Sequence, residues 1–299
     1  MSKILISGLV NTETTLRVRQ FPIDYYPIDY PFFGIDTAVS GVAYNIALAM
    51  KKLGDNVSFA SMTGTDYPAE YIRSELRTHG IGSDNLKSCL SQTPSSVVIY
   101  DETGRRQIYC DLKDIQETDY AFSREMLEGA DLVVACNINF NRPLLHMARK
   151  TGKTIATDVH VLSNPYDDYN RDFMANAQIL FLSDEGIGED YYGFIMELER
   201  IYENKIIVLG RGSKGAAMYV KSEDRFYDLN AVQVGPVLNT VGAGDALFSA
   251  FNHFYARGFA PVDALKRAQI FASVKIGTNG ASKGFCEEQD VEALCARFA

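Results

Sequence analysis

Cysteine and histidine are both scarce in this chain. The five cysteines (Cys89, Cys110, Cys136, Cys286 and Cys295) are odd in number and hold no C-x-x-C pair, which argues against a disulfide framework and a zinc cluster. Such usage suits a reduced, cytoplasmic compartment. The four histidines are scattered, and His160, two residues after Asp158, has no third ligand near it in sequence, so no metal centre is expected there. Apolar runs stay well short of the ~20 residues that cross a bilayer. The opening MSKILISGLV is too short for a signal peptide and reads as a strand. Positive charge is in deficit, 29 Lys and Arg against 38 Asp and Glu, for a net charge of −9. Broad attraction to nucleic acid or an anionic membrane is therefore not expected. Any phosphate must be gripped locally, by backbone N–H groups and a few basic side chains.

What the chain does have is length and apolar content: 299 residues, 46% hydrophobic, enough for one large α/β domain or two small ones. Strands are expected at Ile4–Ser7 and near Val57–Met62, with a helix from about Gly41 to Leu53 between them, capped by Ser40 and closed by Gly54. A second helix follows Pro68 and stops at Gly80. Period-two alternation over Ser95–Leu112, with Val97 and Ile99 on one face and a turn at Glu102-Thr103-Gly104, predicts a β-hairpin. Residues Leu16–Val39 look extended, and a five-residue near-repeat (Pro22–Tyr26, Pro27–Tyr30) reads either as an aromatic lid edge or as a Pro-stiffened loop. Beyond Leu127 the order returns to strand and helix: strands at Leu132–Ala135, Ile155–Asp158, Ile179–Leu182 and Ile206–Leu209, and helices at Pro143–Lys150, Tyr191–Tyr202, Ala243–Ala256 and Pro261–Ile276. This alternation implies a mostly parallel sheet with helices on both faces. The β-rich insertions at about 14–40 and 93–112 are expected to form a small lid sheet.

Two glycine-rich motifs compete for attention. Gly210-Arg211-Gly212-Ser213-Lys214-Gly215 matches G-x-G-x-x-G but is followed by Ala216–Val220 and Phe226–Asp228, a hairpin pattern. A dinucleotide fold needs a helix there, so dehydrogenase chemistry is not supported. Those glycines can still bring backbone N–H groups near a nucleotide, or simply make a tight turn. The second motif, Thr240-Val241-Gly242-Ala243-Gly244-Asp245, opens a helix. Free N–H groups and the helix dipole welcome an anion at such a place. With no Walker sequence in the chain, a carboxylate beside that anion hole points to phosphoryl transfer with Asp245 as base. An acidic residue in a first helical turn also has an ordinary stabilising role.

These residues resemble the ribokinase-like (PfkB) family of carbohydrate and nucleoside kinases, over nearly the whole chain. The D-T-x-G-A-G-D signature appears as Asn239–Asp245, and G-G-x-x-x-N-x-A as Ser40–Ala47. Gly8–Glu13 resembles G-x-x-N-x-D, Gly212–Gly215 the nucleotide turn, and Asn279-Gly280-Ala281 the closing edge of the adenine pocket. The resemblance implies a single domain over 1–299, a three-layer α/β sandwich with a small β lid, and use of ATP with Mg²⁺. It further implies that Asp245 takes a proton from the acceptor hydroxyl while the N–H groups of Gly242, Ala243 and Gly244 hold the γ-phosphoryl oxygens. Gly212, Ser213, Gly215, Thr240 and Asn279 would bind the nucleotide; Asn11, Glu13, Gly41, Asn45 and Asn137 would line the acceptor pocket.

The departures decide what stays open. Glu13 stands where the family has Asp, and Ser40 where it has Gly. Asn239 replaces an Asp that helps bind a monovalent cation, so a potassium requirement is open. The N-x-x-E magnesium motif aligns with Ser183-Asp184-Glu185-Gly186 and is not reproduced; Asp184 or Glu185 can serve through water. A non-catalytic, nucleotide-binding relative is the alternative of another class. Val42 stands where phosphosugar kinases commonly have Lys, which favours a neutral sugar acceptor. A nucleoside is the other reading, with Tyr44 or lid aromatics (Tyr25, Tyr26, Tyr30, Phe32, Phe33) stacking on its base; those aromatics can equally pack the lid or a homodimer interface.

Overall fold

The computed structural model describes residues 1–298. In chain order the strands are β1 (Lys3–Ser7), β2 (Asn11–Arg17), β3 (Ile35–Ser40), β4 (Asn56–Thr63), β5 (Leu86–Ser88), β6 (Ser95–Tyr100), β7 (Arg106–Asp111), β8 (Leu132–Ala135), β9 (Thr154–Val161), β10 (Ile179–Ser183), β11 (Ile206–Gly210), β12 (Ala216–Val220) and β13 (Arg225–Leu229). The α-helices are α1 (Val42–Lys52), α2 (Tyr67–Thr78), α3 (Arg124–Glu128), α4 (Arg142–Lys150), α5 (Arg171–Asn176), α6 (Tyr191–Tyr202), α7 (Ala243–Ala256), α8 (Pro261–Lys275) and α9 (Glu288–Phe298). Nine strands form one sheet in the order β13-β12-β11-β10-β9-β8-β1-β4-β5, with every pairing parallel except β11–β12 and β12–β13, so that β12 alone is reversed. A four-stranded sheet, β3-β2-β6-β7, stands apart from it.

Continuous apolar runs such as Ile4-Leu5-Ile6 and Leu132-Val133-Val134 make a sheet buried on both faces. Alternate residues feed opposite layers. Ile4, Ile6, Val134 and Val208 pack with α1, α2, α7 and α8, whereas Leu5, Val133, Leu180 and Ile207 pack with α4, α5 and α6. The result is a three-layer α/β sandwich, as the alternation predicts. No helix among the described residues is long and apolar enough to cross a membrane.

Several details differ from the sequence reading. Gly41, not Ser40, is the cap residue of α1, and the Ser40 hydroxyl turns to Glu13 instead. The segment 16–39 is strand only at its ends, with an irregular, aromatic-rich stretch between. The hairpin forms as expected, with Val97 and Ile99 on one face, and it is the opposite face, Ser96 and Val98, that is buried.

Candidate active site

Parallel α/β sheets place ligands outside the carboxyl ends of their strands, and the sequence-predicted residues gather there. Asn11 follows β1, Asn137 follows β8, Asp184 and Glu185 follow β10, and Gly212–Gly215 follow β11. The first helical turn of α7 lies among them.

The loop before α7 is shaped by glycine. Gly242 caps the helix with φ 77°, and a Cβ there would lie 2.7 Å from the Ala281 carbonyl oxygen, so a side chain is excluded both by conformation and by space. Asn239 accepts a hydrogen bond from the Val241 N–H at 2.8 Å, and the Ile276 carbonyl accepts from the N–H groups of Leu238 and Asn239. Residues 275–281 thus brace the loop. Of the expected N–H groups, that of Ala243 is donated to the Thr240 carbonyl at 3.1 Å. Those of Gly242, Gly244 and Asp245 have no protein acceptor among the described residues. The N–H groups left free at this turn are thus those of Gly242, Gly244 and Asp245, while that of Ala243, also expected to hold phosphoryl oxygens, is engaged within the loop. The Val241 carbonyl, just outside the helix, accepts from the Lys275 ammonium.

Asp245 accepts from the Asn45 amide at 2.8 Å, which ties α7 to α1. Burial raises its carboxyl above the ordinary aspartate value, partly offset by His160 and by the Asn45 bond. Glu13, on β2, is also raised, again chiefly by burial, with the Ser40 and Ser96 hydroxyls opposing; Asp245 raises it further and Lys275 lowers it. Two carboxylates and one ammonium therefore share a single electrostatic neighbourhood. Sequence patterning reveals neither Lys275 nor Arg106, whose guanidinium reaches from β7 to the Thr240 hydroxyl at 3.4 Å.

On the acceptor side, Asn11 donates to the Ser96 hydroxyl at 3.0 Å. The amide oxygens of Asn11 and Asn45 are buried without a partner, and buried polar atoms rarely stay so unless something else satisfies them. Hydroxyl donors suit them. Asn137 donates to Asn170 at 3.1 Å and lines a cavity of about 130 Å³ with Val42, Leu9, Leu112 and Gln116. Tyr44 is not part of this pocket: its side chain is buried in the core beneath α1, so it cannot stack on a ligand. The lid aromatics Tyr25, Tyr30, Phe32 and Phe33 are exposed. A larger cavity of about 460 Å³, lined by Lys3, Asn56 and Asn85, opens at the opposite, amino ends of β1 and β4, away from these groups.

On the nucleotide side, β11 runs into a single 3₁₀ turn, Gly212–Lys214, and then antiparallel β12. No helix follows, so the G-x-G-x-x-G match is a hairpin turn. Gly215 is required there, since a Cβ would lie 2.0 Å from the Leu229 carbonyl oxygen. Gly212, Ser213 and Asn279 are exposed. Asp184, partly buried, has its N–H on the Gly210 carbonyl at 2.9 Å, beside that turn. No cluster of three metal-ligating side chains occurs among the described residues. The donor set suits a Mg²⁺ held mainly by phosphate oxygens and water, with one carboxylate at its edge.

Comparison with known proteins agrees with this geometry. The model of the pfkB family carbohydrate kinases matches residues 1–288. The fructosamine kinase FrlD of Bacillus subtilis is 24% identical over 268 residues, covering 87% of this chain and 89% of its own. Among solved structures, the microbiome-derived acarbose kinase Mak1 superposes with a TM-score of 0.90 at 24% identity, covering 99% of both chains. Arabidopsis thaliana ribokinase complexed with ribose and ATP superposes at 0.84 with 19% identity, covering 98% of both. The chain belongs to the pfkB family of carbohydrate kinases and is an ATP-dependent phosphotransferase of that kind.

Proposed function

We propose that this chain transfers the γ-phosphoryl group of ATP to a hydroxyl of a small neutral sugar. The observation that carries the reading is the juxtaposition of a half-buried carboxylate, Asp245, with unpaired N–H groups at the start of α7. Asp245 takes the proton of the attacking hydroxyl. The N–H groups of Gly242, Gly244 and Asp245 face the oxygens on which charge develops, where preorganised donors act most strongly. Thr240, the Gly212–Gly215 turn and Asn279 border the nucleotide. Mg²⁺, when bound near Asp184 or Glu185, neutralises phosphate charge. Gly41 shapes the entry to α1, while Asn11, Glu13, Asn45 and Asn137 orient the sugar.

The acceptor's character follows from what lines its side. Two unpaired amide oxygens and Glu13 accept from hydroxyls, and Val42 offers no charge to a second phosphate. Removal of Tyr44 from the pocket takes away one support for a nucleoside. Fructosamine, acarbose and ribose, named for the relatives, are all hydroxyl-rich.

An ATP-consumption screen over neutral sugars, phosphosugars and nucleosides tests this. Turnover is expected with a neutral sugar; activity confined to nucleosides or phosphosugars would sink the acceptor assignment. With the sugar in hand, Glu13→Gln should raise KM for it by roughly ten- to a hundredfold, the scale of one hydrogen bond to a charged group, with kcat changed far less. A change confined to kcat would show that Glu13 acts on the reaction rather than on binding.

A further inference from the structure

Lys275 is the last residue of α8, where sequence alone makes it a routine helix-end base. Its surroundings are not routine. The side chain is fully buried, the one Lys or Arg so placed among the described residues. It makes no ion pair there, and its hydrogen bond goes to the carbonyl of Val241, directly before the anion-binding glycines. An unpaired buried ammonium is costly, so its retention under this loop calls for a use.

The loop supplies one. The Lys275 ammonium fixes the Val241 carbonyl directly beneath the first turn of α7, where the N–H groups of Gly242, Gly244 and Asp245 are unpaired. The charge also sits behind the place where γ-phosphoryl oxygens gather, in surroundings that screen it poorly. The family resemblance implies a monovalent cation beside this loop, yet the residues present do not fit one. The Val241 carbonyl is occupied by the ammonium, and neutral Asn239, standing where the family has a carboxylate, spends its oxygen on the Val241 N–H.

We propose that Lys275 is a built-in cation for the anion hole: a positioning residue that fixes the loop and supplies its positive charge, so that the enzyme needs no potassium. The inference rests on the kinase reading above. Burial pushes the Lys275 ammonium down to about 8, against the pull of Asp245 on α7 and Glu13 on β2. It is therefore mostly charged near neutral pH.

The test uses ATP and ADP as probes, because a charge behind the γ-phosphoryl site should favour ATP selectively. Calorimetry is run in tetramethylammonium chloride, then with about 0.1 M potassium chloride at matched ionic strength. The wild type should prefer ATP over ADP to the same degree in both salts. Lys275→Met, which loses charge and donor, and Lys275→Gln, which keeps a donor without the charge, should each lose about tenfold or more of that preference. A purely structural role would lower the melting temperature or weaken both nucleotides equally. The proposal fails if the wild-type preference appears only in potassium, or if the Gln variant keeps it in full. The wild-type arm decides the matter even if neither variant folds. A wild type that binds neither nucleotide would instead overturn the kinase reading.

Discussion

Asp245→Asn is expected to lower turnover by roughly two to four orders of magnitude, the contribution typical of a general base, while leaving ATP affinity within a few-fold. The change is nearly isosteric, and the amide oxygen of the new side chain can still accept from Asn45, so the 2.8 Å tie between α1 and α7 can persist. Stability should move the other way. Burial raises the Asp245 carboxyl above its unfolded value; the folded state then holds its proton more tightly, and stability falls as pH rises through that raised value. Above that raised value the cost of the desolvated charge is fully present, and the amide removes it. The variant should therefore melt at or above the wild-type temperature, with the gain vanishing toward low pH. The acid limb of the wild-type rate profile should lie above the ordinary carboxylate range and disappear in the variant. Wild-type turnover in Asp245→Asn would remove Asp245 from the role of base.

Much of this site is legible in the chain because it is local. The helix Ala243–Ala256 is delimited by its own glycines and apolar spacing, and the structure places it at those residues. The parallel strands announce themselves as short apolar runs, and the decoy glycine motif is exposed by the β-pattern after it. What escapes depends on distant contacts or weak periodicity. Lys275 is written as a solvated helix-end base and is buried only because residues 236–242 fold across it. Arg106 looks like a turn residue until the small sheet brings it to Thr240. Tyr44 shares a helix with Asn45 but points into the core, a distinction of one residue that needs the packing of α1 to resolve. Short α3 and α5, and α9 with Val291 its one buried residue, carry too little apolar pattern to be seen. The Ser40 cap fails because its hydroxyl has a longer-range partner in Glu13.

The second large effect is expected far from the chemistry. α1 and α7 lie side by side, tied near their starts by Asn45 and Asp245 and near their ends by Asp55 and His253. The two α7 residues are about 12 Å apart along the helix. The His253 Nδ1–H donates to Asp55 at 2.7 Å, and both side chains are fully buried. Glu288 stands 3.8 Å from Nε2, too far for a hydrogen bond, so Asp55 is the ring's sole hydrogen-bonding partner among the described residues. Asp55→Leu should cost about 3–5 kcal/mol, the penalty for stranding one member of a buried polar pair, and lower the melting temperature by roughly 10 °C. Asp55→Asn, which still offers an acceptor, should recover much of that loss. The folded fraction of Asp55→Leu should keep near-wild-type ATP affinity, because the anion loop is braced separately by residues 275–281. The two substitutions then separate cleanly: the change at Asp245 removes catalysis without stability, and the change at Asp55 removes stability without the nucleotide site. Loss of ATP binding in still-folded Asp55→Leu would mean that the helix pair, rather than the loop's own bracing, holds the anion hole open.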